Sequence, residues 1–358
     1  MTSEATVGSP FPESWSNHLR NSSKRFVILL CCCVLLAGCA DDRDNSNQPE
    51  VPTAAALEEV SLVLNWYPEA EHGGYYAALV HGFYEEAGLK VTIIPGGPNA
   101  PVLQKVDRKT VTFGVTNADR VLLGRAQEAD VVAVMSPLQV SPRCIMVHES
   151  SGIEKLSDLK DVTLAMNSGA TWAQFLRKRL PLENVRIVDN ASVAKFLDDE
   201  TYAQQAYVFS EPFVAKSKGG DPRSLMVSEL GFNPYTSLLI THADTITEDP
   251  ETVRKMVEAS IRGWRKYLES SDETNEYIHQ QNPEMELDIL EFGAKAMKPL
   301  YTDDETPLER LGTMTAARWK TLTDQLVEVD VLKPGEVDPQ RAFTTQFLPA
   351  ADGTPDAE

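Results

Sequence analysis

Short apolar, β-rich runs alternate with helical stretches from Val60 onward, and this alternation is what most restricts the fold. Four runs, VSLVLN (60–65), LKVTII (89–94), VTFGV (111–115) and DVVAVMS (130–136), are separated by helix-like segments. One of these, 75–87, is closed by Gly88, a natural helix C-cap. Apolar runs this short read as strands, and helices between them predict a mainly parallel sheet covered on both faces. A second unit follows the polar link HESSGIEKLSDLKD, with strands at 162–166, 185–188 and 206–209 and helices near 171–179 and 191–199. The run TSLLITH (236–242) leads back out, and from Asp249 the chain is almost wholly helical. No repeat of 20–50 residues is present. The reading is α/β with two lobes: lobe 1 is 58–148 plus 242–345, lobe 2 is 149–241, and the crossovers lie near 148 and 241. The C-terminal helices are expected to pack mainly on lobe 1.

The N-terminus reads as a separate feature. Arg20, Lys24 and Arg25 precede FVILLCCCVLLAG, which is short for a bilayer span and matches a secretory signal over 1–38. It ends in Leu36-Ala37-Gly38-Cys39, which resembles a bacterial lipobox and makes Cys39 the candidate lipidation site. An uncleaved single-span anchor is the alternative. Residues 39–57 are polar and Pro-containing, as a flexible tether is, and 346–358 read as a disordered tail. Four of five cysteines lie in the signal or at its end, so Cys144 alone remains in the folded part. One thiol permits neither an intramolecular disulfide nor a cysteine metal site. The histidines are scattered, which argues against a metal centre. With 33 basic against 53 acidic residues and no basic stripe, nucleic acid is not an expected partner.

In an open parallel sheet, ligands bind outside the carboxyl ends of the strands. Polar or glycine clusters sit there in both units: Asn65-Trp66, Gly96-Gly97, Asn117 and Asp119, Gln139, Asn167-Ser168-Gly169, and Ser210-Glu211. A cleft between two lobes collects all of them. The stretch NWYPEAEHGGYY adds His72 and two glycines, which predict close backbone approach to a ligand and a helix N-terminus aimed at it. Trp66 offers a stacking face for a planar ring. The competing readings are structural. Trp66 can pack in a core, Asn117 and Glu211 can serve helix starts, and Gly97 and Asn167–Gly169 suit any turn.

The segments LNWYPEAEHGGYYAALVHGFYEEAGLKVTI, GGPN, FGVTNADRVLLGRAQ and the SEP of VFSEP resemble periplasmic substrate-binding proteins of ABC importers. Within that group they are similar to the branch related to thiamine pyrimidine synthase. The resemblance runs over roughly 58–300 and is most specific in the first lobe. It implies the two-lobed binding-protein fold and a monomer that hands a thiamine-precursor pyrimidine, or a similar flat heterocycle, to a permease and its ATPase without a cofactor. Relatives bind sulfonate, nitrate or riboflavin. It further implies that Trp66 stacks the ring and that Glu211 accepts from an aminopyrimidine edge, where a carboxylate repels a sulfonate. The rival implication is an enzyme, the pyridoxal-phosphate-dependent synthase. Its lysine and histidine, four residues apart after the third strand, correspond here to Thr116 and Arg120, and its cysteine cluster has no match in LGFNPYTSLLI. No GxSxG, P-loop, GxGxxG or HExxH motif is present.

Overall fold

The computed structural model describes residues 56–303 and 306–349. The signal, Cys39, nearly all of the tether and the end of the tail lie outside the described residues. Ten strands are present: β1 (Glu58–Val63), β2 (Leu89–Ile94), β3 (Phe113–Thr116), β4 (Val131–Met135), β5 (Arg143–His148), β6 (Thr163–Ala165), β7 (Arg186–Val188), β8 (Tyr202–Tyr207), β9 (Pro222–Met226) and β10 (Leu238–His242). The helices are α1 (Gly73–Val80), α2 (Phe83–Glu86), α3 (Val102–Asp107), α4 (Ala118–Ala126), α5 (Thr171–Arg179), α6 (Val193–Asp198), α7 (Glu211–Ser217), α8 (Ala243–Glu248), α9 (Pro250–Glu269), α10 (Asp272–Gln281), α11 (Leu287–Met297) and α12 (Ala316–Glu328).

The strands form two five-stranded sheets, ordered β2-β1-β3-β10-β4 and β7-β6-β8-β5-β9. In each, one strand runs against the others: β10 is antiparallel to β3 and β4, and β5 to β8 and β9. The reason is the crossing itself. A chain leaving one sheet at its cleft end enters the other at the cleft and must run away from it.

This moves the lobe boundaries. Residues 143–148, expected in lobe 1, form β5 of the second sheet, while 238–241, expected in lobe 2, belong to β10 of the first. The crossings therefore lie at 136–142 and 227–237. They run side by side, with Leu138 bridging Thr236 and the Ser141 N–H donating to Asn233 Oδ1 at 2.7 Å.

Helix α9 shows why the C-terminal part folds back on the first lobe. Asp249 caps its start by accepting from the Thr252 N–H, and Pro250 opens the first turn, where its missing N–H costs nothing. Val253, Met256, Val257, Ser260, Ile261, Trp264 and Tyr267 form its buried stripe. That stripe meets α1. A Cβ on Gly73 would lie 2.2 Å from the Tyr267 ring, and one on Gly74 would lie 2.0 Å from Trp264. The glycine pair thus admits α9, not a ligand as its position after β1 had suggested. The tail needs a correction too, because Phe347 is 1% exposed and closes the first-lobe core.

Candidate functional site: the interlobe cleft

After β1 the chain needs Gly96 behind it, since a Cβ there would lie 2.2 Å from the Leu64 carbonyl oxygen. Asn65 follows. Its Nδ2 donates to Glu71 Oε1 at 3.1 Å, and its Oδ1 accepts from His72 Nε2 at 2.8 Å. Burial holds His72 down to about 3, so the ring is neutral with its proton on Nε2. Ser237 Oγ also donates to Glu71 Oε1, at 3.0 Å, and the Ser237 N–H donates to Asn117 Oδ1 at 3.4 Å. One network therefore ties the ends of β1 and β3 to the return crossing.

Glu69 and Glu71 are both buried, and Glu211 comes from the second lobe to face them. Burial raises the Glu69 carboxyl well above its ordinary range, and the negative Glu71 and Glu211 raise it further. Glu71 is also raised by burial, offset by Asn65, Ser237 and the positive Arg143. Burial raises Glu211 as well, against the Tyr207 N–H, its own N–H and Arg143. Its Oε2 accepts from the Tyr207 N–H at 2.8 Å.

A cavity of about 20 Å³ lies between the lobes, lined by Asn117 and Asp119 of the first lobe and Arg143, Trp172 and Tyr207 of the second, among others. The Arg143 guanidinium carbon is 4.9 Å from the Trp172 ring centre and 4.6 Å from that of Tyr207, and Nη2 donates to the Tyr207 hydroxyl at 2.9 Å. Burial pushes Tyr207 up to about 12, so its hydroxyl keeps its proton. Thr171 Oγ1 donates to Asp119 Oδ2 at 2.7 Å, a buried link between the lobes.

The expected site residues divide. Asn117 and Asp119 line the cavity. Glu211 stands beside it in the carboxylate cluster, and Trp66, 41% exposed, sits edge-on to Tyr67. Gly97 lies against the Tyr67 ring. Asn167, Ser168 and Gly169 form a partly exposed turn, in which the Gly169 N–H donates to Asn167 Oδ1 at 3.1 Å. Two expectations are corrected. Gln139 is 1% exposed and spends its amide on the carbonyls of Thr313 and Ser136. His72 is wholly buried and positions Asn65 instead of facing a ligand. Arg143, Trp172 and Tyr207 escaped the sequence reading. The one available signal was a lone arginine heading an apolar run, PRCIMVH, at a lobe crossing.

Known proteins resemble this chain. The chain is 26% identical to the riboflavin-binding protein RibY of Chloroflexus aurantiacus, over 83% of this chain and 90% of that protein. It is 24% identical to the formylaminopyrimidine-binding protein of Halalkalibacterium halodurans, over 78% and 87%. It is 23% identical to the 4-amino-5-hydroxymethyl-2-methylpyrimidine phosphate synthase of Legionella pneumophila, over 81% and 92%. Among solved structures, the periplasmic aliphatic sulphonate binding protein SsuA of Escherichia coli superposes with a TM-score of 0.60 at 16% identity, over 80% of this chain and 91% of that one. That likeness bears out the expected periplasmic-binding-protein fold, α/β with two lobes around a cleft. The family model described as NMT1/THI5 like matches residues 69–274, more than half of the sequence, and the chain therefore belongs to the NMT1/THI5-like family.

Proposed function

We propose that this protein is a solute-binding protein that captures a thiamine-precursor pyrimidine, or a similar flat heterocycle, in the interlobe cleft and delivers it to an ABC permease. The observation that carries the reading is convergence: Asn117 and Asp119 of one lobe and Arg143, Trp172 and Tyr207 of the other line one cavity. Polar groups from two lobes engage one ligand fully only when the lobes close, as transport proteins of this shape require. The carboxylates favour a ligand bearing N–H donors over a sulfonate. Trp66, Gly97, Asn167, Ser168, Gly169 and Glu211 are proposed as the outer contacts. Titration calorimetry with hydroxymethylpyrimidine, formylaminopyrimidine, riboflavin and taurine tests this. One of the heterocycles is expected to bind; binding by taurine alone defeats the reading.

The synthase reading has less support, because Schiff-base chemistry needs an amine. Thr116 and Arg120, at the matching positions, cannot supply one. Attachment belongs to the same proposal. Cys39 carries lipid and holds the domain at the membrane facing the periplasm or exterior, so Cys39→Ser is expected to release the protein into the soluble fraction. Retention of that variant in membranes supports the uncleaved anchor.

A further inference from the structure

Arg143 has five N–H donors and spends one on Tyr207; no other hydrogen bond to it is found among the described residues. The Trp172 and Tyr207 rings hold its fork in place, and Arg143 lines the cavity. Across the cavity, Asp119 Oδ2 accepts from Thr171, whereas Oδ1 has no partner among the described residues. An unspent charged donor on one lobe thus lines the same cavity as an unspent carboxylate oxygen on the other. A cavity of about 20 Å³ has room for one polar atom, roughly a single water, and not for a ring. The ring of any ligand lies outside, and only a substituent enters.

The substituent is constrained by what surrounds it. An exocyclic amine would direct its hydrogens at a guanidinium. A sulfonate carries no donor for Asp119 and is repelled by it. A carbonyl oxygen accepts from Arg143, and an N–H on the adjacent ring atom can donate to Asp119. We propose that the cleft floor recognises a lactam or imide edge, with Arg143 reading the carbonyl oxygen and Asp119 the neighbouring N–H. This rests on the reading of the cleft as a heterocycle site and narrows it to heterocycles that carry such an edge.

The test titrates the full chain with riboflavin, whose ring ends in an imide, with its N3-methyl derivative, and with hydroxymethylpyrimidine and taurine. Riboflavin is expected to bind. N3-methylation is expected to weaken binding about tenfold or more, because it removes the N–H and overfills the cavity. Arg143→Met and Asp119→Asn are each expected to weaken riboflavin binding roughly ten- to hundredfold, the range for hydrogen bonds to charged groups. Equal affinity for the methylated ligand overturns the proposal, and this arm needs no variant that must fold. Binding of hydroxymethylpyrimidine without riboflavin overturns it while leaving the heterocycle reading intact. Binding of taurine alone overturns both, and binding of none of these ligands overturns the lactam-edge proposal.

Discussion

At the scale of single residues, the buried carboxylates set a pH dependence whose sign can be worked out. Glu69 is 5% exposed and Glu71 1% exposed. Desolvation, then the charges of Glu71 and Glu211, raise the Glu69 carboxyl above its unfolded value. A carboxyl raised in the folded state lends its full stability below the unfolded value, and this is lost as pH rises toward the folded one. The loss is about 1.4 kcal/mol per pH unit over which only the folded state holds the proton. His72 acts oppositely. Held down to about 3 by burial, it costs stability as pH falls below its ordinary value. The two trends overlap in the intact protein, but a variant separates them. Glu69→Gln keeps the size of the side chain and removes the titration, while His72 is common to both proteins and cancels. The melting temperature of Glu69→Gln minus that of the unaltered chain is expected to be near zero in acid and to grow positive as pH rises through neutrality. A difference that stays flat from acid to neutral pH shows that Glu69 is ionised in the fold.

At the scale of elements, the sequence carried the parallel strands well and the crossing strands poorly. β4 is an apolar run buried on both faces, while β1 and β2 alternate more and less buried side chains, and that alternation fixes their register. β5 begins on a charged residue straight after Pro142, and only a single 3-10 turn, Glu149–Ser151, follows it. β9, PRSLM, opens on a proline, carries Arg223 and Ser224, and lies at the sheet edge. β8 was expected at 206–209 and runs Tyr202–Tyr207, because Gln204 and Gln205 break the apolar pattern. Gln204 is nonetheless buried, and its amide oxygen accepts from the Ser192 N–H at 3.0 Å. The site divides for the same reason. Asn117 and Asp119 follow a legible strand. Arg143 and Tyr207 sit at the ends of strands that pattern alone does not delimit, and Trp172 opens a helix whose burial is decided by the lobe it meets. Gly74 illustrates a signal read correctly as close approach and assigned to the wrong partner. Sequence shows that a side chain cannot fit there, while packing decides whether a ligand or Trp264 is the reason.

At the scale of the whole molecule, the question is what holds the lobes together, and several kinds of contact do so, among them Phe213 of α7 stacked on Phe292 of α11 at 4.8 Å. The paired crossings form the hinge. α12, assigned with the C-terminal helices mainly to the first lobe, straddles the boundary: Trp319 stacks on Phe343 at 5.5 Å on one side, while Glu328 pairs with Arg179 at 2.7 Å and Gln325 donates to the Gly231 carbonyl at 2.9 Å on the other. Inside the cleft, Thr171 donates to Asp119. The exposed ion pair contributes little in water. The Thr171–Asp119 bond differs, because Asp119 is 9% and Thr171 4% exposed, and breaking it leaves a carboxylate oxygen without its donor in a dry place. Thr171→Val removes the donor and keeps the shape, at a cost of about 1–3 kcal/mol. Opening the cleft lets water reach Asp119 and relieves that cost, so it falls on the closed arrangement and spares the open one. The closed-to-open ratio is then expected to drop about 5- to 150-fold. Small-angle scattering of Thr171→Val is expected to show a larger radius of gyration than the unaltered chain, with the urea midpoint little changed because each sheet keeps its own core. An unchanged radius together with a lowered midpoint makes the bond an ordinary part of the packing, and places control of closure in the hinge and α12.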